Sequence, residues 1–116
     1  MPWLSEEVKE IAVRTIEEAE SIGAGRMLTH KRHDLLIGYC SVGQIVGSLH
    51  DFNTAPFDDF VRQDEHVIEL CMATFGLDRR EMGLITDTND LYPPGQRKAA
   101  VLEVLEQIPV KGMEPV

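Results

Sequence analysis

The longest stretch of this chain without a charged side chain runs from Leu35 to Leu49, between Asp34 and His50. Its apolar residues spread around a helical projection, whereas its few polar residues fall on a single seam. A pattern that is apolar on most sides is typical of a buried helix, and the three glycines in the run would let neighbouring elements approach closely. The pattern therefore predicts one central helix over Leu35 to Leu49, with Asp34 as its N-cap.

Amphipathic segments lie on both sides of this run. The first is predicted to begin at Ser5, whose hydroxyl can cap free backbone N–H groups, and to end at Gly23. Another is predicted from Pro56 to Gly76, because proline suits a first helical turn and apolar residues then recur at helical spacing. A last helix is predicted over residues 96–107.

Two segments lack a clear period. Residues 24–33 are predicted to form a loop or a short extended piece. Residues 77–95 are predicted to form an ordered loop, because Asp87 to Asp90 and Pro93 to Gly95 are typical turn residues. The predicted fold class is therefore all-α, a bundle of about four helices around the central apolar helix. We expect a single helical domain over residues 1–108 and a frayed tail over 109–116.

Composition indicates an acidic globular protein. The 116 residues include 20 Asp and Glu against 11 Lys and Arg, a formal net charge of -9. This charge repels nucleic acid, so we expect no direct nucleic-acid binding. No segment reaches the roughly 20 apolar residues that cross a bilayer, and the N-terminus lacks the pattern of a secretory signal. We expect a cytoplasmic protein without a membrane contact, in which Cys40 and Cys71 are buried, reduced thiols.

Three short motifs resemble a family of small uncharacterised proteins from bacteriophages and actinobacteria. They are a Cys-x-x-Gly motif that begins at Cys40, an Asn-Asp turn that begins at Asn89, and a closing helix rich in Val and Leu over residues 98–105. The chain departs from that family at Thr88, where an aromatic residue is expected. The resemblance implies a helical fold and a phage origin, and it transfers no catalytic residue.

The helix predicted before Gly76 presents a charged outer face, which is the candidate partner-binding surface. Its residues are Asp58, Asp59, Arg62, Glu65, His66 and Glu69. An acidic face can occupy a basic nucleic-acid-binding groove, so inhibition of a host nucleic-acid-handling protein is one concrete form of the hypothesis. A solvated helix face is the simpler explanation of the same pattern. The first hypothesis is thus a small acidic protein that binds a protein partner and needs no cofactor.

Two other hypotheses depend on other residues. Asp64 falls on the apolar side of the same predicted helix, where a carboxylate needs a hydrogen-bond donor or must be protonated. His30, His33 and Asp34 could contribute to a metal site, so a metal-dependent or hydrolytic protein that uses these residues with Asp64 is the second hypothesis. The third hypothesis is a structural homo-oligomer.

Overall fold

The computed structural model describes residue 3 and residues 5–30, 35–52 and 60–111. Within these ranges the chain forms five helices and one two-stranded antiparallel sheet. In chain order the elements are α1 (Glu6–Glu18), β1 (Leu28–His30), β2 (Leu36–Gly38), α2 (Ser41–Gly47), α3 (Phe60–Phe75), α4 (Arg79–Leu91) and α5 (Pro94–Gln107). The mainly helical fold predicted from the sequence is confirmed, whereas the hairpin of β1 and β2 departs from an all-α bundle.

The prediction of one central helix over residues 35–49 was wrong, because this run is divided between β2 and the short helix α2. Cys40 has an extended backbone and is the N-cap of α2. The physical reason is a backbone contact between α2 and the hairpin. A Cβ atom on Gly43 would lie 1.8 Å from the carbonyl oxygen of Met27, so only glycine permits this approach. The predicted N-cap Asp34 lies outside the described residues.

The prediction of an ordered loop over residues 77–95 was also wrong, because residues 79–91 form α4. The Asp78 carboxylate accepts a hydrogen bond from the Glu81 backbone N–H at 2.9 Å, and the Glu81 carboxylate accepts one from the Asp78 N–H at 3.0 Å. This capping box satisfies two backbone donors at the start of the helix. Met82, Ile85 and Asn89 then recur at helical spacing on its buried face.

The predicted start of α1 and end of α3 agree with the structure, whereas α1 ends at Glu18 instead of near Gly23, and the predicted helix start at Pro56 lies outside the described residues. The Ser5 hydroxyl caps α1 and accepts a hydrogen bond from the Val8 N–H at 3.2 Å. Gly76 follows α3 with a φ of 79°, a left-handed conformation that favours glycine. Helix α5 begins at Pro94, in the first turn where proline is tolerated, instead of at Gln96.

The core of the described residues lies between the helices. Its fully buried side chains include Ile16 from α1, Val46 from α2, Phe75 from α3, Ile85 from α4 and Leu105 from α5. Burial of each such side chain stabilises the fold by about 1.5 to 3 kcal/mol relative to exposure. Every helix therefore contributes to one shared core.

Trp3 joins the N-terminal segment to the residues after α5. Its backbone forms a parallel bridge with Val110, and its indole N–H donates to the Leu105 carbonyl oxygen at 3.3 Å. The indole packs edge-to-face on Phe75 with 5.9 Å between ring centroids. Residues 109–111 thus lie beside the N-terminal segment, and most of the frayed tail predicted over 109–116 lies outside the described residues.

Candidate functional site

The hairpin carries an exposed apolar surface, which we call the hairpin face and define as Leu35, Ile37, Tyr39 and Leu49. The first three alternate along β2 and its ends, so they lie on the same side of the sheet. They are 49%, 39% and 37% exposed, and Leu49, just after α2, is 49% exposed. Leu36, the intervening residue on the opposite side, is buried. The apolar pattern that predicted a buried helix thus includes side chains that face solvent.

A groove of about 540 Å³ lies between β2, α2 and the segment that follows α2. Ile37 and Phe52 provide apolar walls, and Ser48, His50 and Asp51 provide polar groups. The His50 Nε2 atom lies 3.0 Å from the Thr74 hydroxyl, so α3 orients this ring. A groove with apolar walls and a few polar groups is suited to binding.

Tyr39 is held in place at one end of the hairpin face. Its backbone N–H donates to the Met27 carbonyl oxygen at 2.7 Å, and its own carbonyl oxygen accepts from the Gly23 N–H at 2.9 Å. The ring lies so close to Gly23 that a Cβ there would be 2.2 Å from it. The Arg26 guanidinium lies 5.8 Å from the ring centroid, a cation–π distance. The face is therefore presented by an ordered segment.

A set of polar side chains, which we call the polar cluster, joins α4 and α5 to the loop before β1. It consists of Asn89, Asp90 and Arg97. Asn89 is fully buried, and its Oδ1 accepts a hydrogen bond from the Ser41 backbone N–H at 3.0 Å while its Nδ2 donates to the Gly23 carbonyl oxygen at 2.8 Å. One side chain thus connects the start of α2 with the loop.

Asp90 and Arg97 extend the same cluster. The Asp90 Oδ1 accepts from the Gly25 N–H at 3.1 Å, and the Arg97 Nε donates to the Asn89 carbonyl oxygen at 2.7 Å. Arg97 also donates to the Ile22 carbonyl oxygen. The turn predicted at Asn89 and Asp90 was wrong, because both residues are in α4 and bond residues more than 45 positions away. Spacing alone contains no signal for such partners.

Asp64 is half-buried on α3, and its partner is a backbone group beside β1. Its Oδ1 accepts a hydrogen bond from the Met27 N–H at 3.3 Å. Burial raises the pKa of the Asp64 carboxyl, while the Met27 N–H and the Arg26 charge lower it. The contact connects α3 to the start of the hairpin and gives this carboxylate a structural role.

The predicted metal ligands are not assembled in the described part of the chain. His30 is exposed at the end of β1, and His33 and Asp34 lie outside the described residues. Across residues 5–30, 35–52 and 60–111, no group of three or more His, Cys, Asp or Glu side chains is placed to hold a metal ion. Three or four converging ligands are needed for a zinc site.

The predicted partner-binding face is described only in part. Glu65, His66 and Glu69 are exposed on α3, and the two glutamates share a face because they are one turn apart. Asp58 and Asp59 lie outside the described residues, as does the side chain of Arg62. The described portion is therefore an exposed surface with two glutamates and one histidine.

The two cysteines are buried free thiols, as predicted. Burial raises the pKa of the Cys40 thiol to about 11 and that of the Cys71 thiol to about 12. Both are therefore protonated at neutral pH, and the thiol is a much weaker nucleophile than the thiolate. These residues contribute to packing in the native state.

Comparisons with known proteins identify no relative: no family model matches this chain, and no curated protein or solved structure matches it. Among the described residues, none of the helices has both the length and the apolar character required to cross a membrane. A functional assignment therefore depends on the exposed surfaces and their chemistry.

Proposed function

We propose that this chain is a protein-interaction module that binds a protein partner through the hairpin face. The observation that carries the proposal is the exposure of Leu35, Ile37 and Leu49 in a small acidic domain. Large exposed apolar side chains on one side of a strand commonly mark an interaction surface, because a partner that covers them removes apolar area from water.

The chemistry around the face favours a partner segment with an apolar residue flanked by basic ones. The groove beside Ile37 has room for an apolar side chain, and Ser48 and Asp51 offer hydrogen-bond acceptors at its wall. The net charge of -9 attracts basic proteins over a distance and accelerates their association. In this arrangement Glu65 and Glu69 on α3 attract the basic partner over a distance, whereas the hairpin face makes the main contact with it.

A host nucleic-acid-handling protein is a concrete form of such a partner. These proteins present basic grooves, and an acidic protein can occupy them in place of nucleic acid. The resemblance of the Cys40 and Asn89 motifs to phage proteins is consistent with this form of the proposal. The same charge argument predicts that the chain itself does not bind nucleic acid.

Site-specific photo-crosslinking tests the proposal. The full chain is made with p-benzoylphenylalanine at position 37 and irradiated in a cell extract, and the captured protein is identified and purified. Tyr92, the residue that follows α4, is the matched control because Ile37 and Tyr92 are each 39% exposed. We expect capture from position 37 and none of the same protein from position 92.

Binding of the purified partner is then measured for substituted chains. Ile37→Lys and Leu49→Lys remove an apolar contact and add a charge that repels a basic partner, so we expect each to weaken binding more than about tenfold. Tyr92→Lys should bind as the wild-type chain does. Equal binding by all three variants, or equal loss in all three, would contradict a role of the hairpin face.

A further inference from the structure

A second exposed surface, on α4, has a regular order of charged and apolar residues. Arg80, Leu84, Asp87 and Leu91 are spaced three or four residues apart, so they lie on one side of the helix, and we call them the α4 stripe. All four are exposed, and the two leucines are 48% and 79% exposed. The stripe shares no residue with the hairpin face or the polar cluster.

Apart from the capping residues Asp78 and Glu81, the charges of α4 are arranged against the preference of an isolated helix. Basic residues Arg79 and Arg80 lie in the first turn, and the acidic residues Asp87 and Asp90 lie near the end. The helix dipole favours the opposite order. Within the described part of the chain, neither Arg80 nor Asp87 has an ion pair or a hydrogen-bonded side-chain partner. The described residues thus provide no side-chain partner for these two charges.

We propose that the α4 stripe binds the α4 stripe of a second copy of this chain, with the two helices antiparallel about a two-fold axis. Reversal of the helix places a basic end beside an acidic end, so Arg80 of each copy lies opposite Asp87 of the other. Because the axis is two-fold, this pair occurs twice. The order of charges that is unfavourable in one helix is complementary in the antiparallel pair.

The same register accounts for the centre of the contact. Leu84 lies about midway between Arg80 and Asp87, so the two Leu84 side chains meet near the axis and remove apolar area from water. Gly83 lies beside them, and a Cβ at this position would have no neighbour within 4 Å. A glycine at this point lets the two backbones approach closely.

The register also provides a place for Leu91. This residue is about one helical turn beyond Asp87, so it lies beyond Arg80 of the second copy, near the junction of that copy's α3 and α4. A groove of about 670 Å³ at this junction is lined by the apolar residues Met72, Ala73, Gly76 and Leu77 and by the charged residues Glu69, Asp78 and Arg79. The most exposed apolar side chain of the stripe thus meets an apolar groove of the second copy, at both ends of the contact. Binding of a second copy therefore provides a partner for the stripe charges, covers Leu84 and fills this groove.

Charge exchange tests the proposal by sedimentation velocity across a range of concentrations. We expect the wild-type chain to form a dimer. Arg80→Asp and Asp87→Arg each put like charges together in both pairs, so each should raise the dimer dissociation constant more than about tenfold. A one-to-one mixture of the two variants restores opposite charges in both pairs, so we expect it to form a heterodimer. The chain with both substitutions should dimerise for the same reason.

Matched substitutions at other exposed sites control for net charge. Lys111→Asp and Glu103→Arg make the same charge changes away from the stripe and should leave the dimer unchanged. Leu84→Lys should abolish it, whereas Leu49→Lys on the hairpin face should not. Circular dichroism verifies that every variant is folded. A monomeric wild-type chain, a dimer insensitive to the stripe substitutions, or a mixture that does not associate would each overturn the proposal. None of these outcomes depends on whether a partner binds the hairpin face.

Discussion

In the polar cluster, Asn89 and Arg97 are buried among backbone carbonyl and amide groups, whereas on the hairpin face Leu35 and Ile37 are exposed to solvent. Each region thus reverses the usual location of its residue type. The polar side chains are buried because each one forms a hydrogen bond with a backbone group of a distant segment. This bond replaces the one that the backbone group would otherwise make with water. The apolar side chains are outside although burial would stabilise them.

This difference separates structure from interaction. A buried side chain that bonds several segments holds the fold in one arrangement, and its loss leaves buried groups without partners. An exposed apolar side chain adds little to the stability of the isolated chain and can lose water only when another surface covers it. We therefore expect substitutions in the interior to change the free energy of unfolding and those on the face to change binding.

The largest effect is expected for Gly43→Ala, because the hairpin cannot stay in contact with α2 when a Cβ lies 1.8 Å from the Met27 carbonyl oxygen. We expect a loss of at least about 3 kcal/mol in the free energy of unfolding, measured by urea denaturation. Gly47→Ala, in the same helix, is the control. Its Cβ would be 3.1 Å from the Phe52 ring, which can move, so the change should be under about 1 kcal/mol.

Asn89→Ala should have the next largest effect, because it leaves the Ser41 N–H and the Gly23 carbonyl without their buried partner. We expect a loss of about 2 to 4 kcal/mol in the same assay. Asp90→Ala removes an exposed hydrogen bond from the Gly25 N–H and a partly buried one from the Asn89 Nδ2, and should cost about 1 kcal/mol. A similar loss of unfolding free energy in the two variants would mean that the burial of Asn89 does not increase its contribution to stability.

Alkaline pH should weaken the interior through the two thiols. Their native pKa values of about 11 and 12 exceed the ordinary value of 9.0, so the folded state retains protons that the unfolded state releases. Their contribution to stability is full below pH 9 and declines as the pH rises from 9 towards 11 or 12, by about 1 kcal/mol per thiol at pH 10. Thermal melts at pH 8 and pH 10 should show a smaller alkaline loss in Cys71→Ala than in the wild-type chain. An equal loss would show that Cys71 is not the cause.

Asp64→Ala is expected to cost about 1 kcal/mol, because the Met27 N–H loses its acceptor in a half-buried location. Burial raises the native pKa above the unfolded value, so the carboxyl contributes most to stability when protonated at acid pH, and this contribution declines as the pH rises. Relative to the wild type, Asp64→Asn should therefore be more stable at pH 7 than at pH 3. Solvent screening keeps this difference small. Denaturation of the variants at the two pH values measures the difference, and the opposite sign would contradict the burial effect.

The smallest effect on stability is expected for Ile37→Thr, because an exposed β-branched residue is replaced by another that suits a strand. The free energy of unfolding should change by less than about 0.5 kcal/mol. Leu36→Thr, at the neighbouring buried position, should cost more than about 2 kcal/mol. Equal costs at positions 36 and 37 would show that the hairpin does not have one buried and one exposed side.

Local sequence signals predicted several elements of this fold. The Ser5 cap, the stop at Gly76 and the last helix could be identified because capping and helical periodicity depend on residues a few positions apart. Helix α4 also carried such a signal, the Asp78 and Glu81 capping box, but the turn residues near Asn89 favoured a loop. In the structure that asparagine side chain bonds distant backbone groups, so it does not compete with its own helix.

The candidate surfaces were harder to predict. The acidic residues of α3 follow from periodicity, whereas the hairpin face was hidden in a run that indicated a buried helix. Exposed and buried apolar residues have the same side-chain chemistry, so pattern alone cannot separate Ile37 from Leu36. Their difference depends on which side of β2 meets the rest of the chain.

The sequence by itself determined the acidic charge, the mainly helical fold and the burial of both cysteines, because these follow from composition and local periodicity. Only the tertiary structure decided the division of residues 35–49, the partners of Asn89 and Asp64, and the exposure of Ile37 in β2 and of the leucines in α4. These features depend on contacts between separate segments of the chain. One example is the approach of Gly43 to the Met27 carbonyl group, which leaves no room for a Cβ atom.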